Sequence, residues 1–347
     1  MRKIQVICWN VENFFHPESG GPRFDLTPHE GWTLERYEAK VARICAVLKG
    51  IFRESDGSGV LIGLTEVENE RVVRDILAGL PERFKWASDS SFGRDYLDCV
   101  LIYDEETFEL NGCRYNQMFE RYPRGDVVQV DMRERTTGAE LSVFNCHLKA
   151  RPSNQHHTSM YRQAVCDEIQ TTIWKMHEGE EVRNRIRRDK DGMVEKPESL
   201  TLDKNVVVMG DFNDEPFSPS LMEYLVASYD WSRVLRQRDL ERVALYNCSW
   251  EWLMTAKPGS YFHERPFGSP WSMLDQMVVS PALLSGLSRI RYEPGSFRVI
   301  QDMTCDVDGK PLRMNAWDDD DNLIWLDGYS DHFPIEMVLN LEGEVSP

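Results

Sequence analysis

Paired cysteines, long apolar runs and a glycine-rich phosphate loop are all missing from this 347-residue chain. Its eight cysteines stand singly at 8, 45, 99, 113, 146, 166, 248 and 305, with no CxxC among them. That argues against a disulfide framework. Cys8, Cys99 and Cys146, inside apolar patterns, read as core thiols in a reducing compartment. No stretch approaches the roughly 18 apolar residues that a membrane span needs. The chain opens MRKIQVICWN, so a strand is expected almost at once in place of a signal peptide, and the expected location is the cytoplasm. Positive charge is also scarce. Forty Lys and Arg against 58 Asp and Glu leave a formal charge of −18, which disfavours a passive nucleic-acid binding module. GxSxG and HExxH are absent, so serine-hydrolase and zincin chemistry have no support.

What is present is repetitive in a different way. Five apolar, strand-like runs each end in polar groups: CWNVEN at 8–13, GLTEVEN at 63–69, FNCHLKA at 144–150, VVVMGDFND at 206–214 and GYSDHF at 328–333. With 41% hydrophobic and 28% charged residues the chain can bury a large core. Because the stations run from Asn10 to His332 and must converge, one domain over 1–347 is expected, not two.

The first strand is expected at 4–11. Thr33 is placed to cap a helix, since Leu34, Tyr37, Val41, Ile44, Cys45 and Leu48 recur at spacings of three and four. Further strands are expected at 60–64, 97–103, 127–132, 141–146, 206–209, 275–279 and 333–339, with helices near 69–79 and 158–176. Exposed loops or insertions are expected at 16–32, 178–204 and 306–326. Helices interleave with strands without regular alternation, and a layered α/β arrangement follows.

Glu66 ends VLIGL, where a carboxylate is costly unless solvated or coordinated, although a surface glutamate at a strand end is an equal explanation. Asn10 lies between Trp9 and Val11 and needs a partner for its amide. Carboxylate and amide oxygens are the hard ligands that magnesium accepts. In GDFND, Asp211 and Asn213 point the same way if the strand persists; the plain alternative is an Asx turn. Asp331 sets a carboxylate beside His332, whose imidazole can take or hold a proton, and Asp275 at the head of DQMVV is placed to orient it. His147 is followed by Lys149 and Arg151, which favours phosphate contact over mere packing. Arg94 is a further candidate clamp, with a surface arginine as its rival. His156–His157 and the acidic run at 318–321 read as solvated, the latter lacking the spacing of a calcium loop. The aromatic stretch of Trp250, Trp252, Tyr261, Phe262 and Trp271 is mostly core, with a ring or two free to line a groove.

Taken in order, WNVEN, GLTEVEN, NCHL, GDFND, LDQMVVS and YSDH resemble the endonuclease/exonuclease/phosphatase superfamily of deoxyribonuclease I-like, metal-dependent phosphoesterases, across essentially the whole chain. The resemblance implies a four-layer α/β sandwich, two mainly antiparallel sheets face to face with helices on both outer faces. It implies Asn10, Glu66 and Asp331 at the metal, with Glu66 the principal ligand. It also implies His147 on the scissile phosphate, Asp211 positioning the nucleophile, Asn213 orienting phosphate, and His332 paired with Asp275; Arg94, Lys149 and Arg151 are expected to bind substrate. The cofactor expected is Mg2+, with Mn2+ as a substitute. The reaction expected is in-line attack of activated water on a phosphodiester by a monomeric nuclease. A phosphatase or phosphodiesterase acting on a small phosphorylated metabolite or phospholipid headgroup is the alternative, and an inactive binding module on the same fold is a lesser one.

Overall fold

The computed structural model describes residues 2–18, 31–52, 59–89, 97–116, 127–151, 155–177, 202–237, 242–255, 257–264, 269–286, 289–317 and 323–342. Arg94, most of 16–32 and 178–204, and the acidic run at 318–321 lie outside the described residues, as do the side chains of His156 and His157.

Two seven-stranded mixed sheets dominate. The first is built from β1 (Arg2–Phe14), β2 (Gly59–Val67), β3 (Phe84–Ala87) and β4 (Asp98–Asp104), completed by late strands. The second begins with β5 (Phe108–Asn116), β6 (Val127–Glu134), β7 (Glu140–His147) and β8 (Val206–Asp211), joined by β9 (Ala227–Ser228) and β10 (Leu245–Asn247). A ribbon of β11 (Tyr261–Phe262) and β12 (Trp271–Ser272) precedes β13 (Asp275–Val279), which returns to the second sheet beside β8. The first sheet is finished by β14 (Ile290–Tyr292), β15 (Arg298–Val299) and, after a ribbon of β16 (Asn315–Trp317) and β17 (Leu323–Trp325), by β18 (Ile335–Leu341). The 306–326 stretch therefore contains this small ribbon. Most pairings are antiparallel; β1 with β2, β7 with β8, and β9 with β10 run parallel.

The layering follows from period-two patterning. Along β1, Ile4, Val6 and Cys8 enter a core shared with the second sheet, while Ile7, Trp9 and Val11 meet helices α1 (Leu34–Ile51) and α2 (Glu70–Ala78). Along β8, Val207 and Met209 enter the same central core, while Val206 and Val208 pack against Val165, Ile169 and Ile173 of α3 (Gln155–His177). Strands buried on both faces explain why these runs are continuously apolar. The order is helix, sheet, sheet, helix. Thr33 caps α1 by accepting from the Arg36 N–H at 3.3 Å. All eight cysteines are free thiols. Among the described residues no helix is long and apolar enough to cross a membrane.

Candidate active site

The alternation that fills the central core also carries polar groups to one end of it. Asn10 continues the inward face of Ile4, Val6 and Cys8, Asp211 that of Val207 and Met209, and His147 that of Leu141 and Val143. Asp275 precedes inward-facing Met277 and Val279 in the same way. Register then aligns three of them in a row, since Asp211 pairs with His147 on one side and Asp275 on the other.

Gly210 makes that closing pair possible. With φ +143° it occupies backbone that side chains rarely adopt, and a Cβ there would strike the Cys146 carbonyl.

Glu66 breaks the alternation. Counting by twos from Leu64 would send it toward the helices. Instead the β2–β4 register slips between Leu64 and Val67, and Glu66 takes φ +65°. The β1–β2 register slips likewise between Asn10 and Phe14, where Glu12 and Asn13 take φ +49° and +46°. Paired irregularities of this kind re-aim side chains. Here they swing Glu66 into the inward cluster.

There Asn10 Nδ2 donates to Glu66 Oε1 and to Asp211 Oδ2, both at 3.0 Å. Its Oδ1 accepts the Glu12 N–H at 3.0 Å, which fixes the amide, because a backbone N–H can only donate. Asn10 thus turns its nitrogen toward the carboxylates and its oxygen away from them. The Asn13 N–H donates to the second oxygen of Glu66 at 2.6 Å. His147 Nε2 lies 3.5 Å from Glu66 and 3.8 Å from Asp211. Burial opposes ionisation of Glu66, but His147, Asn10 and Asn13 outweigh it and hold its pKa below the usual value.

Asp211 divides its two oxygens. Oδ1 accepts the Asn213 N–H at 2.8 Å in an Asx turn, while Oδ2 faces Asn10 and both imidazoles. The Asn213 side-chain amide gives its hydrogens to the Leu148 carbonyl (2.8 Å) and to Asp211 (3.2 Å). Phe212 between them is buried against α3. Burial raises the Asp211 pKa, and Asp275 adds to the rise against the pull of His332 and His147.

His332 Nδ1 meets Asp275 Oδ2 at 2.6 Å, and its Nε2 lies 3.7 Å from Asp211 and 3.9 Å from Asp331. Burial alone would lower the imidazole pKa. Asp275, Asp211 and Asp331 overcome it and push it well above 6.5. The loop before β18 is tied down by Ser330, which donates to the Asn10 carbonyl at 2.6 Å and accepts the His332 N–H at 3.1 Å. Tyr261 packs its ring 4.7 Å from that of His332.

Several participants carry little sequence signal. Arg313 reaches Glu12 and Asp331, each at 3.4 Å, from a stretch with no apolar run. Buried Lys40 donates to the Glu12 carbonyl at 2.6 Å. Burial and Asp331 raise the Glu12 carboxyl to about 7, against Lys40 and Arg313. Burial lowers Lys40 to about 8 despite nearby Glu12 and Glu66. Glu12 was legible only as the second acid of WNVEN, and Lys40 sits at helical spacing from Tyr37 and Ile44 like a core position. Of the expected substrate contacts, Arg151 is at the rim but bonded to the Asn213 carbonyl (2.7 Å) and Asp214 (3.2 Å). Lys149 is exposed just beyond His147.

A hard divalent cation fits this donor set. Glu66, Asp331 and Asp211 offer oxygens, and raised carboxyl pKa values at Asp211 and Asp331 mark negative charge that a cation would offset. Asp211, Asp275 and His332 also present donor atoms within 4.8 Å of one another. Their chemistry suits a cation less well, because His332 already shares a proton with Asp275 and its raised pKa favours imidazolium. Glu66 and Asp331 offer carboxylate oxygens outside that hydrogen-bonded pair.

Solved structures share the fold. A family protein from Bacteroides thetaiotaomicron aligns with TM-score 0.58 and 14% identity over 98% of this chain and 95% of its own. The mannosyl-6-phosphatase of B. thetaiotaomicron VPI-5482 gives 0.57 and 14% over 97% and 99%, and a humanized D. rerio TDP2 gives 0.53 and 12% over 97% and 99%. No curated protein sequence matches significantly. The profile of the Endonuclease/Exonuclease/phosphatase family, however, matches residues 5–341, taking in every polar station from Asn10 to His332. With the sandwich, the row of polar strand ends and that match in agreement, the chain belongs to the endonuclease/exonuclease/phosphatase family.

Proposed function

We propose that this protein hydrolyses a phosphate ester by in-line attack of water, with Mg2+ held at Glu66 and Asp331. The observation that carries this reading is Asp211 Oδ2. One buried carboxylate oxygen lies 3.0 Å from the Asn10 amide and 3.7–3.8 Å from two imidazoles, beside the Glu66 carboxylate that the same amide binds. Bound magnesium supplies charge to offset that of the phosphoryl oxygens. The chain's own residues do the rest. Asp211 accepts a hydrogen bond from the attacking water and fixes its direction. His332, kept protonated by Asp275, and His147 donate to phosphoryl oxygens as charge builds. Asn213, with both amide hydrogens engaged, acts by holding Asp211 in its Asx turn. Asn10 acts as the tie between Glu66 and Asp211.

A small phosphate ester is the better-supported substrate. A cavity of about 260 Å³ adjoins Asp331 and is bounded by Phe262, Glu264, Asp306, Lys310 and Arg313. That is room for a compact leaving group, in a protein whose charge of −18 repels polyanions. A mannosyl-6-phosphatase among the structures of like fold accords with this class. A polynucleotide is the second reading, favoured by exposed Lys149 and by a D. rerio TDP2 complexed with single-strand DNA product among the structures of like fold. The test is a Mg2+/Mn2+-dependent activity panel of DNA, RNA and small phosphate mono- and diesters. Higher kcat/KM on a small ester is expected. Faster cleavage of DNA or RNA would sink that substrate class, and turnover of no ester would sink the hydrolase reading.

A further inference from the structure

The displacement that aims Glu66 needs something to hold it. The residue placed to do so is Asn145, fully buried on β7 and two positions before His147 on the same inward face. Its side chain crosses the sandwich. Asn145 Nδ2 donates to the carbonyls of Leu64 and Val100, both at 3.0 Å, and these two residues are the last register pair before the β2–β4 slip. Carbonyls in a regular ladder lie in the sheet plane, so a side chain from the facing sheet reaches them only where the ladder is distorted. Gly63 leaves the room: a Cβ there would come within 3.0 Å of the Asn145 amide carbon. Cys8 closes the arrangement, its thiol donating to Asn145 Oδ1 at 3.8 Å.

We propose that Asn145 is a positioning residue for the metal face of the site. It pins the β2 irregularity that turns Glu66 inward and, through β7, sets the 3.5 Å separation of Glu66 and His147. The inference rests on the metal-dependent reading above. Groups that orient a metal ligand without touching the ion typically change affinity by about 10–100-fold when removed.

Gln170 provides the control. It is a second buried amide spanning two backbone carbonyls, Leu225 at 2.7 Å and Val243 at 2.8 Å, and it lies on α3 behind the second sheet. The experiment is calorimetric Mg2+ binding to the full chain, with thermal melts in chelator, for wild type, Asn145→Leu, Asn145→Ser and Gln170→Leu. Asn145→Ser keeps one donor and needs no extra room, so it serves if the leucine variant does not fold. Both Asn145 variants are expected to weaken Mg2+ binding by roughly tenfold or more, whereas Gln170→Leu melts earlier but binds Mg2+ as wild type does. A folded Asn145 variant with affinity within about twofold of wild type, against that tenfold expectation, overturns the proposal. So does a wild type that takes up no divalent cation, or an equal affinity loss in Gln170→Leu. Wild type that binds Mg2+ yet hydrolyses no ester defeats the functional reading alone, because the affinity comparison still stands.

Discussion

Asp211 shows how one side chain divides between the fold and the candidate site. Its Oδ1 closes the turn that ends β8, and its Oδ2 is left to Asn10, His147 and His332. Asp211→Asn preserves that shape and removes the charge. It is expected to abolish most turnover with circular dichroism unchanged, and undiminished kcat would remove Asp211 from the mechanism. Glu66→Ala deletes the proposed principal oxygen donor and is expected to raise the Mg2+ concentration for half-maximal activity by at least about tenfold; an unchanged titration would strip Glu66 of that role. His332 makes a prediction about pH. Its folded pKa is raised above 6.5, so the stabilisation from its pairing is fully present below pH 6.5 and disappears as pH rises through the folded value. In chelator, the gap in Tm between wild type and His332→Gln should be widest below pH 6.5 and narrow as pH rises through the folded value. A gap that widens with pH would contradict the charged imidazole.

At the scale of elements, strand ends do the positioning and their geometry is tight. The β7–β8 pairing closes on His147 opposite Asp211 only because Gly210 lets the backbones meet. Gly210→Ala is expected to cost about 1–3 kcal/mol or more through overpacking, read as a fall in denaturation midpoint. A neutral result would mean that this closure is looser than it looks. Helix α2 is more forgiving. Asn69 caps it by accepting from the Arg71 and Val72 N–H groups at 2.9 and 3.2 Å. Asn69→Ala should lose roughly 1 kcal/mol with kcat retained, because the cap lies outside the polar cluster. The strands were legible because residues buried on both faces give unbroken apolar runs. The two irregularities at 10–14 and 64–67 were not, since nothing in WNVEN or LTEVEN distinguishes a slipped register from a regular one.

For the whole molecule, the decisive property is that negative charge is concentrated where it is also buried. Glu12, Asp211 and Asp331 all have raised pKa values, with burial the leading cause and carboxylate neighbours adding to it. A bound cation relieves that repulsion only in the folded state. Mg2+ at about a hundredfold over its Kd should therefore stabilise the fold by about 2.7 kcal/mol. A melting temperature indifferent to Mg2+ would argue against a cation at Glu66 and Asp331.

The amino-acid sequence by itself determined the layers and the cast of the site. Period-two patterning chose the inward face, and the ends of the runs named Asn10, Glu66, His147, Asp211, Asp275, Asp331 and His332. Tertiary structure alone decided what those groups do to one another. Asn10 became a tie between carboxylates because the Glu12 N–H claims its oxygen. Arg151, still exposed, became paired with Asp214. Arg313, Lys40 and Asn145 joined from distant segments. The physical reason is range: strand alternation and turn chemistry act over a few residues and leave a local trace. A hydrogen bond between residues 81 apart, such as Asn145 to Leu64, depends on how two sheets meet and leaves none.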